Sequence, residues 1–205
     1  MNLVESCIIS LFEGFEEKEF DEQFSILPPI IQKQLQPLVD CLKKNDLIFA
    51  CKKGCLGAVI YLVERGANIH ADNDKALRVV AKNGHMDMVR LLVERGADIH
   101  AFGDYSLRMA ALHGRLNVVE YLVEGGANVR SWDDEALRWA AWKGRLEVVK
   151  YLVEKGADIH ALDDLALQKA AADGHLDVVR FLVEKGANIH ACDDEALQDA
   201  AIWGY

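Results

Sequence analysis

The sequence predicts an all-α solenoid of stacked helix-turn-helix units, and three observations carry that prediction. Gly66, Gly96, Gly126, Gly156 and Gly186 recur every 30 residues, as do Gly54, Gly84, Gly114, Gly144, Gly174 and Gly204. Each period holds two short segments whose apolar residues follow the spacing of one helical face. A polar connector then closes the period, as in DEALRWAAWKGRLEVVKYLVEKGADIHALD. A unit of this size cannot bury its apolar face alone, so neighbouring units must stack to complete the core.

In the first segment, ALRWAAWKG, Leu137, Ala140 and Ala141 lie at i, i+3 and i+4. Asp134 precedes it as the expected N-cap, with Asp74, Asp104, Asp164 and Asp194 in the same place. The paired alanines, here and at Ala110 and Ala111, let neighbouring first helices approach closely. Gly144 ends the helix with a positive φ. The second segment, RLEVVKYLVEKG, puts Leu146, Val149, Leu152 and Val153 on one face, with Glu147 and Lys155 placed to complement the helix dipole. Connectors of a few residues oblige the two helices to run antiparallel. Arg78, Arg108 and Arg138 stand four residues after an Asp, which predicts i,i+4 ion pairs. That column changes to Gln168 and Gln198 further along.

The run GHLDVVRFLVEKGANIHA at 174–191 resembles the second helix and connector of the ankyrin repeat. On that register the repeats span about residues 44–73, 74–103, 104–133, 134–163 and 164–193, with a partial repeat at 194–205. Ankyrin repeats are commonly 33 residues long and open their first helix with T-P-L-H. Here the opening is E-A-L-R or L-A-L-Q, and three residues are missing from the finger that joins successive repeats. In this the chain resembles the 30-residue short-finger ankyrin arrays of giant DNA viruses. The resemblance implies a protein-binding role, with fingers and first helices lining a concave face.

Residues 1–40 do not follow the period and read as a separate acidic segment, a helical N-terminal cap or a recruitment element, before an array over 41–205. They hold eight acids and two bases. LVESCIISLF suits a short amphipathic helix, EGFEEKEFDEQF interleaves acids with phenylalanine, and ILPPIIQKQLQPLVDCL sets prolines around a second apolar segment. LPPIIQKQL followed by NDLIFACKK loosely resembles the F-box, which docks adaptors onto ubiquitin ligases. Its spacing is too long, and Asp46 and Leu47 already fit the first repeat. At the other end the chain stops at AIWGY, so Leu197, Ala200, Ala201 and Ile202 lack the second helix that would cover them. Either the array is shortened from a longer one or this end meets another chain. The expectation is a frayed last helix or weak self-association.

A net charge of −10 argues against a nucleic-acid surface, which needs clustered Lys and Arg. No run approaches the ~18 to 20 apolar residues of a membrane span, and the start has no basic stretch typical of a secretory signal. Five cysteines without a framework spacing suit a reducing compartment. An intracellular, cytoplasmic protein is therefore expected, in a host cell if the viral resemblance holds. Cys51 and Cys55 have ligand-like spacing but no partner pair. His70, His100, His160 and His190 recur once per repeat, about 10 Å apart, and cannot converge on one metal ion. They are expected to form a ladder of ring hydrogen bonds to neighbouring connectors, interrupted by Arg130. His85 and His175 follow the turn glycine and read as structural. With no nucleophile arrangement, phosphate-binding loop or paired carboxylates, no enzyme, cofactor or metal is expected.

Repeating residues hold the stack, and those that vary between repeats are free for recognition. The varying columns nominate Phe102, Met109, Leu112, His113, Trp132, Trp139, Trp142 and Lys143 as one contiguous patch for a protein partner. The plainer reading is that Trp139 or Trp142 fills space beside the small alanines. Two functions stay open: a non-catalytic interaction scaffold, or a substrate adaptor for a ubiquitin ligase that recruits through residues 1–40. A structural role in a particle is a third.

Overall fold

The structure, a computed structural model, describes residues 8–10, 12, 13, 16–192, 198 and 201. Among them the regular elements are helices, without a strand. The chain forms two compact bodies, residues 1–80 with 87–97 and residues 81–86 with 98–205.

In the first body, helix α1 (Glu17–Ile26) buries Phe20, which stacks on Phe24 at 5.9 Å and meets Phe12 edge-on at 5.3 Å. Phe20 and Phe24, interleaved with acids, are therefore packing residues. Helix α2 (Pro29–Lys44) starts with Pro29 in its first turn, where a missing N–H costs nothing. It ends at Asn45, which takes a left-handed φ of 49°. Its buried Leu35, Leu38, Val39 and Leu42 face α3 (Leu47–Lys53) and α4 (Leu56–Glu64), the first hairpin of the array. The boundary expected near residue 40 falls inside α2, which runs on through Pro37 to Lys44. Asp46 caps α3 by accepting a hydrogen bond from the Phe49 amide at 3.0 Å. Burial pushes the Cys41 and Cys51 thiols up to about 12, with the Cys55 thiol adding to the first and Asp46 to the second. Both are thus protonated, packed groups. Helices α5 (Ala71–Asn83) and α6 (Met86–Glu94) follow.

In the second body, α7 (Ala101–Leu112), α9 (Ser131–Trp142) and α11 (Ala161–Ala172) are first helices and pack in that order. Their partners α8 (Leu116–Glu124), α10 (Leu146–Glu154) and α12 (Leu176–Glu184) form the second layer. Leu137, Ala140 and Ala141 are fully buried as the pattern requires, and the alanines are what lets α7, α9 and α11 sit close. On α10 the buried residues are Val148, Val149 and Leu152. Val153, expected in the core, is only half-buried, and Val148 takes its place on the face turned inward.

The connectors differ most from expectation. Residues 102–104, 132–134 and 162–164 each form a turn of three consecutive left-handed residues, with φ between 52° and 63°. Asp104, Asp134 and Asp164 end these turns and do not act as N-caps. Their carboxylates are buried and point across to the next connector, where Oδ1 accepts the backbone N–H of Asn128, Asp158 and Asn188 at 3.0, 2.8 and 3.0 Å. His100 and His160 also donate Nδ1–H to the Asp four residues on, at 2.9 and 3.0 Å, as His70 does to Asp74 at 3.0 Å. The histidine ladder thus bonds within its own connector, and the aspartate reaches the neighbour.

The expected Asp–Arg pairs are likewise replaced. Arg108 donates to the carbonyls of Gly103 and Phe102 at 3.0 and 2.7 Å, and Arg138 to those of Asp133 and Trp132 at 2.9 and 2.8 Å. Gln168 makes the corresponding bond to Asp163 at 2.7 Å. With each carboxylate committed to the next connector, the guanidinium serves the carbonyls of the left-handed turn.

The turn glycines carry a second constraint beyond their φ. Arg115, Arg145 and His175, directly after the following turn glycine, reach back to the carbonyls of Lys82, Leu112 and Trp142 at 3.2, 3.4 and 3.1 Å. A Cβ on Gly144 would lie 2.5 Å from His175 Nδ1. Of the partial repeat at 194–205 only Gln198 and Ala201, both helical and exposed, are described, so the frayed or self-associating end expected at Leu197, Ala200 and Ile202 lies outside the described residues.

These geometries separate two kinds of glycine. Gly144→Ala (φ 63°, no room) should cost at least ~2 kcal/mol of unfolding free energy in urea titration. Gly156→Ala (φ 92°, open space) should cost only the backbone strain, about 1 kcal/mol.

Candidate functional site: the finger and first-helix face of the second body

Each three-residue turn lifts its first side chain away from the stack. Phe102, Trp132 and Leu162 occupy this place and are 56%, 61% and 51% exposed. A left-handed backbone costs an L-residue roughly 1–2 kcal/mol, and Asn or Asp tolerate it best. Asp72 fills the same place in an earlier connector. Bulky apolar residues here satisfy neither backbone preference nor burial.

Arg108 is the centre on which the rings gather. It is 3% exposed, pairs with Glu135 of the next first helix, and caps its own finger carbonyls. Its guanidinium carbon lies 4.9 Å from the ring centres of Tyr105 and Trp132 and 5.9 Å from that of Trp139. Planar, delocalised guanidinium stacks favourably on aromatic faces. Phe102 meets Tyr105 edge-on at 5.6 Å, and Tyr105 meets Trp139 at 6.4 Å. Trp132 lies over Gly103, where a Cβ would collide with its indole. A glycine in one finger is thus the seat for the tryptophan of the next.

Trp142 makes a second station. The Lys143 ammonium sits 3.6 Å from its ring centre, and Lys143 also pairs with Asp173 at 3.4 Å. Trp139 and Trp142 line a groove of about 300 Å³ together with Arg138, Leu165 and Lys169. Met109, Leu112 and His113 are half-buried along the same helix as Tyr105. His113 turns its Nδ1–H back onto the Met109 carbonyl at 3.0 Å.

Of the eight nominated residues, the structure gathers Phe102, Trp132 and Trp139 around Arg108 and sets Trp142 with Lys143 beside the groove. Tyr105, Leu165 and Lys169 were missed. Tyr105 and Leu165 belong to a column, Lys75, Tyr105, Glu135, Leu165, that varies between repeats as strongly as those nominated. Asp134 stands in the one connector where Arg130 replaces histidine. Burial raises its carboxyl above the usual range, against the lowering effects of the Asp158 amide and of Arg130 at 3.7 Å. Among the described residues, no group of three or more His, Cys, Asp or Glu is placed to hold a metal ion. Nor is any helix there long and apolar enough to cross a membrane.

A stack of helical hairpins whose connectors present variable side chains on one face defines a helical-repeat protein. Family models for ankyrin repeats match residues 26–103, 77–163 and 167–205. The chain belongs to the ankyrin repeat family. Comparison with curated proteins gives no match.

Two variants test this arrangement. Arg108→Leu should cost about 3 kcal/mol in urea denaturation, since it strands the finger carbonyls and Glu135. Arg108→Gln should cost about half as much, because Gln168 caps the equivalent carbonyl. For Asp134 the raised folded value means the folded chain keeps a proton that the unfolded chain has released. Its contribution to stability therefore falls as pH rises from about 4 through that raised value. Asp134→Asn should gain stability relative to the unaltered chain across that rise, as read from urea midpoints at successive pH.

Proposed function

We propose that this protein is a non-catalytic scaffold that binds a partner protein through the fingers at Phe102, Trp132 and Leu162 and the first helices beside them. Ankyrin repeats are in general protein–protein interaction modules, and their proteins are typically non-catalytic. The observation that carries the reading is the exposure of Phe102, Trp132 and Leu162 on backbone that disfavours them. Strain of this kind is tolerated where the surroundings hold it and a function uses it. Aromatic residues with Arg are also the common energetic centres of interfaces. Met109, Leu112, His113 and Lys143 extend the contact along α7 and α9.

The adaptor reading keeps a foothold in Ile26 and Ile30, which are 74% and 69% exposed at the junction of α1 and α2. Under it, these residues recruit a ubiquitin ligase while the array selects the substrate. Because α2 packs on the first hairpin, Ile26→Glu with Ile30→Glu separates the readings better than truncation at residue 40. A scaffold keeps its main partner, and an adaptor loses the recruiting one. The short fingers support an origin among the ankyrin proteins of giant DNA viruses, and the buried, protonated thiols suit a reducing cytoplasm.

Trp132→Ala with Trp142→Ala should weaken partner binding by at least ~2 kcal/mol in titration calorimetry while a cooperative thermal transition is retained. Unchanged affinity would refute the proposal.

A further inference from the structure

The groove on α9 and α11 has a charge at odds with the chain that carries it. Its lining is Arg138, Trp139, Trp142, Leu165 and Lys169, two cations and three apolar residues with no acid. The whole chain is at −10. Arg138 spends Nε and Nη2 on the Asp133 and Trp132 carbonyls, and no carboxylate pairs with it among the described residues. Lys169 is exposed and has no hydrogen-bond or ion-pair partner among the described residues. At the groove's end Lys143 lies on the Trp142 ring and shares its charge with Asp173. Two indole rings and a leucine are thus framed by Arg138 and Lys169, which have no carboxylate partner among the described residues.

We infer that this groove takes an acidic segment of the partner protein, one that presents an aromatic or large aliphatic side chain beside glutamate or aspartate. The inference rests on the scaffold reading and names the chemistry of its partner. A volume of about 300 Å³ is at the lower limit for a small-molecule cleft and suits one anchoring side chain. That anchor lies against Trp139, Trp142 and Leu165, and its flanking carboxylates meet Lys169 and the free Nη1 of Arg138. Cationic partners, including a lysine inserted between the tryptophans, are repelled by the same two groups. The chain's overall charge does not oppose an acidic ligand at physiological salt, because screening limits exposed charges to about 8 Å. Residues 1–40 alone contribute six of the ten negative charges.

The test uses the full chain and three fluorescein-labelled peptides, read by fluorescence anisotropy. The first carries two phenylalanines among glutamates, the second has lysines for those glutamates, and the third has serines for the phenylalanines. The first should bind at least ~10-fold more tightly than the others, and Lys169→Glu should remove most of that advantage. Lys169→Glu should leave the thermal transition unchanged, since the side chain is exposed and unpartnered. Trp142→Ala should weaken the first peptide to a similar degree. Equal binding of the glutamate and lysine peptides would overturn the acidic preference, as would absence of saturable binding by the glutamate peptide or indifference to Lys169→Glu. The scaffold reading fails differently, through partner affinity that ignores Trp132→Ala with Trp142→Ala.

Discussion

The second body depends on holding three consecutive residues in a left-handed turn at its connectors 102–104, 132–134 and 162–164. Such a turn costs several kcal/mol before any contact is counted, and a shortened finger has no strand pairing to offset it. Two side chains do so instead. The aspartate that ends the turn is buried and accepts the amide of the next connector, and the Arg or Gln four residues later caps the carbonyls behind it. One bond reaches forward to the neighbouring repeat and the other reaches back to its own finger. The turn and the stacking of repeats therefore stabilise each other, which is the nearest-neighbour logic of solenoids.

That division of labour decides what is left for recognition. Aspartate, the capping Arg or Gln and the turn glycines are committed to the frame, so the first residue of each turn is free to vary without loosening the connector. In the second body these residues are Phe102, Trp132 and Leu162, turned outward by the left-handed backbone. Arg108 serves both purposes. It caps its finger, pairs with Glu135 and supplies the surface on which Tyr105, Trp132 and Trp139 gather. The rings are thus partly ordered before any partner arrives, which lowers the entropy lost on binding.

Much of this was legible in the sequence because the repeat displays its own grammar several times. The helices, their buried Leu137, Ala140 and Ala141, and the glycine turns follow from periodicity. The roles of the polar columns did not follow, since an Asp before a helix reads as a cap and an Arg four residues on reads as its ion partner. What reversed both was the left-handed turn, which the non-glycine runs 132–134 and 162–164 give no reason to expect. The candidate face was found by variation between repeats, and the same signal pointed to Tyr105 and Leu165. The groove beside Trp142 was not legible, because it needs α9 and α11 side by side.

The central claim is that partners meet the finger and first-helix face of the second body. It is tested most directly by photocrosslinking in the native cell, with a benzophenone amino acid placed at Leu162 or at Arg180 on the second helix α12, both exposed. The account predicts a partner crosslink from position 162 and none from position 180. Crosslinking from position 180 with none from 162 would contradict it.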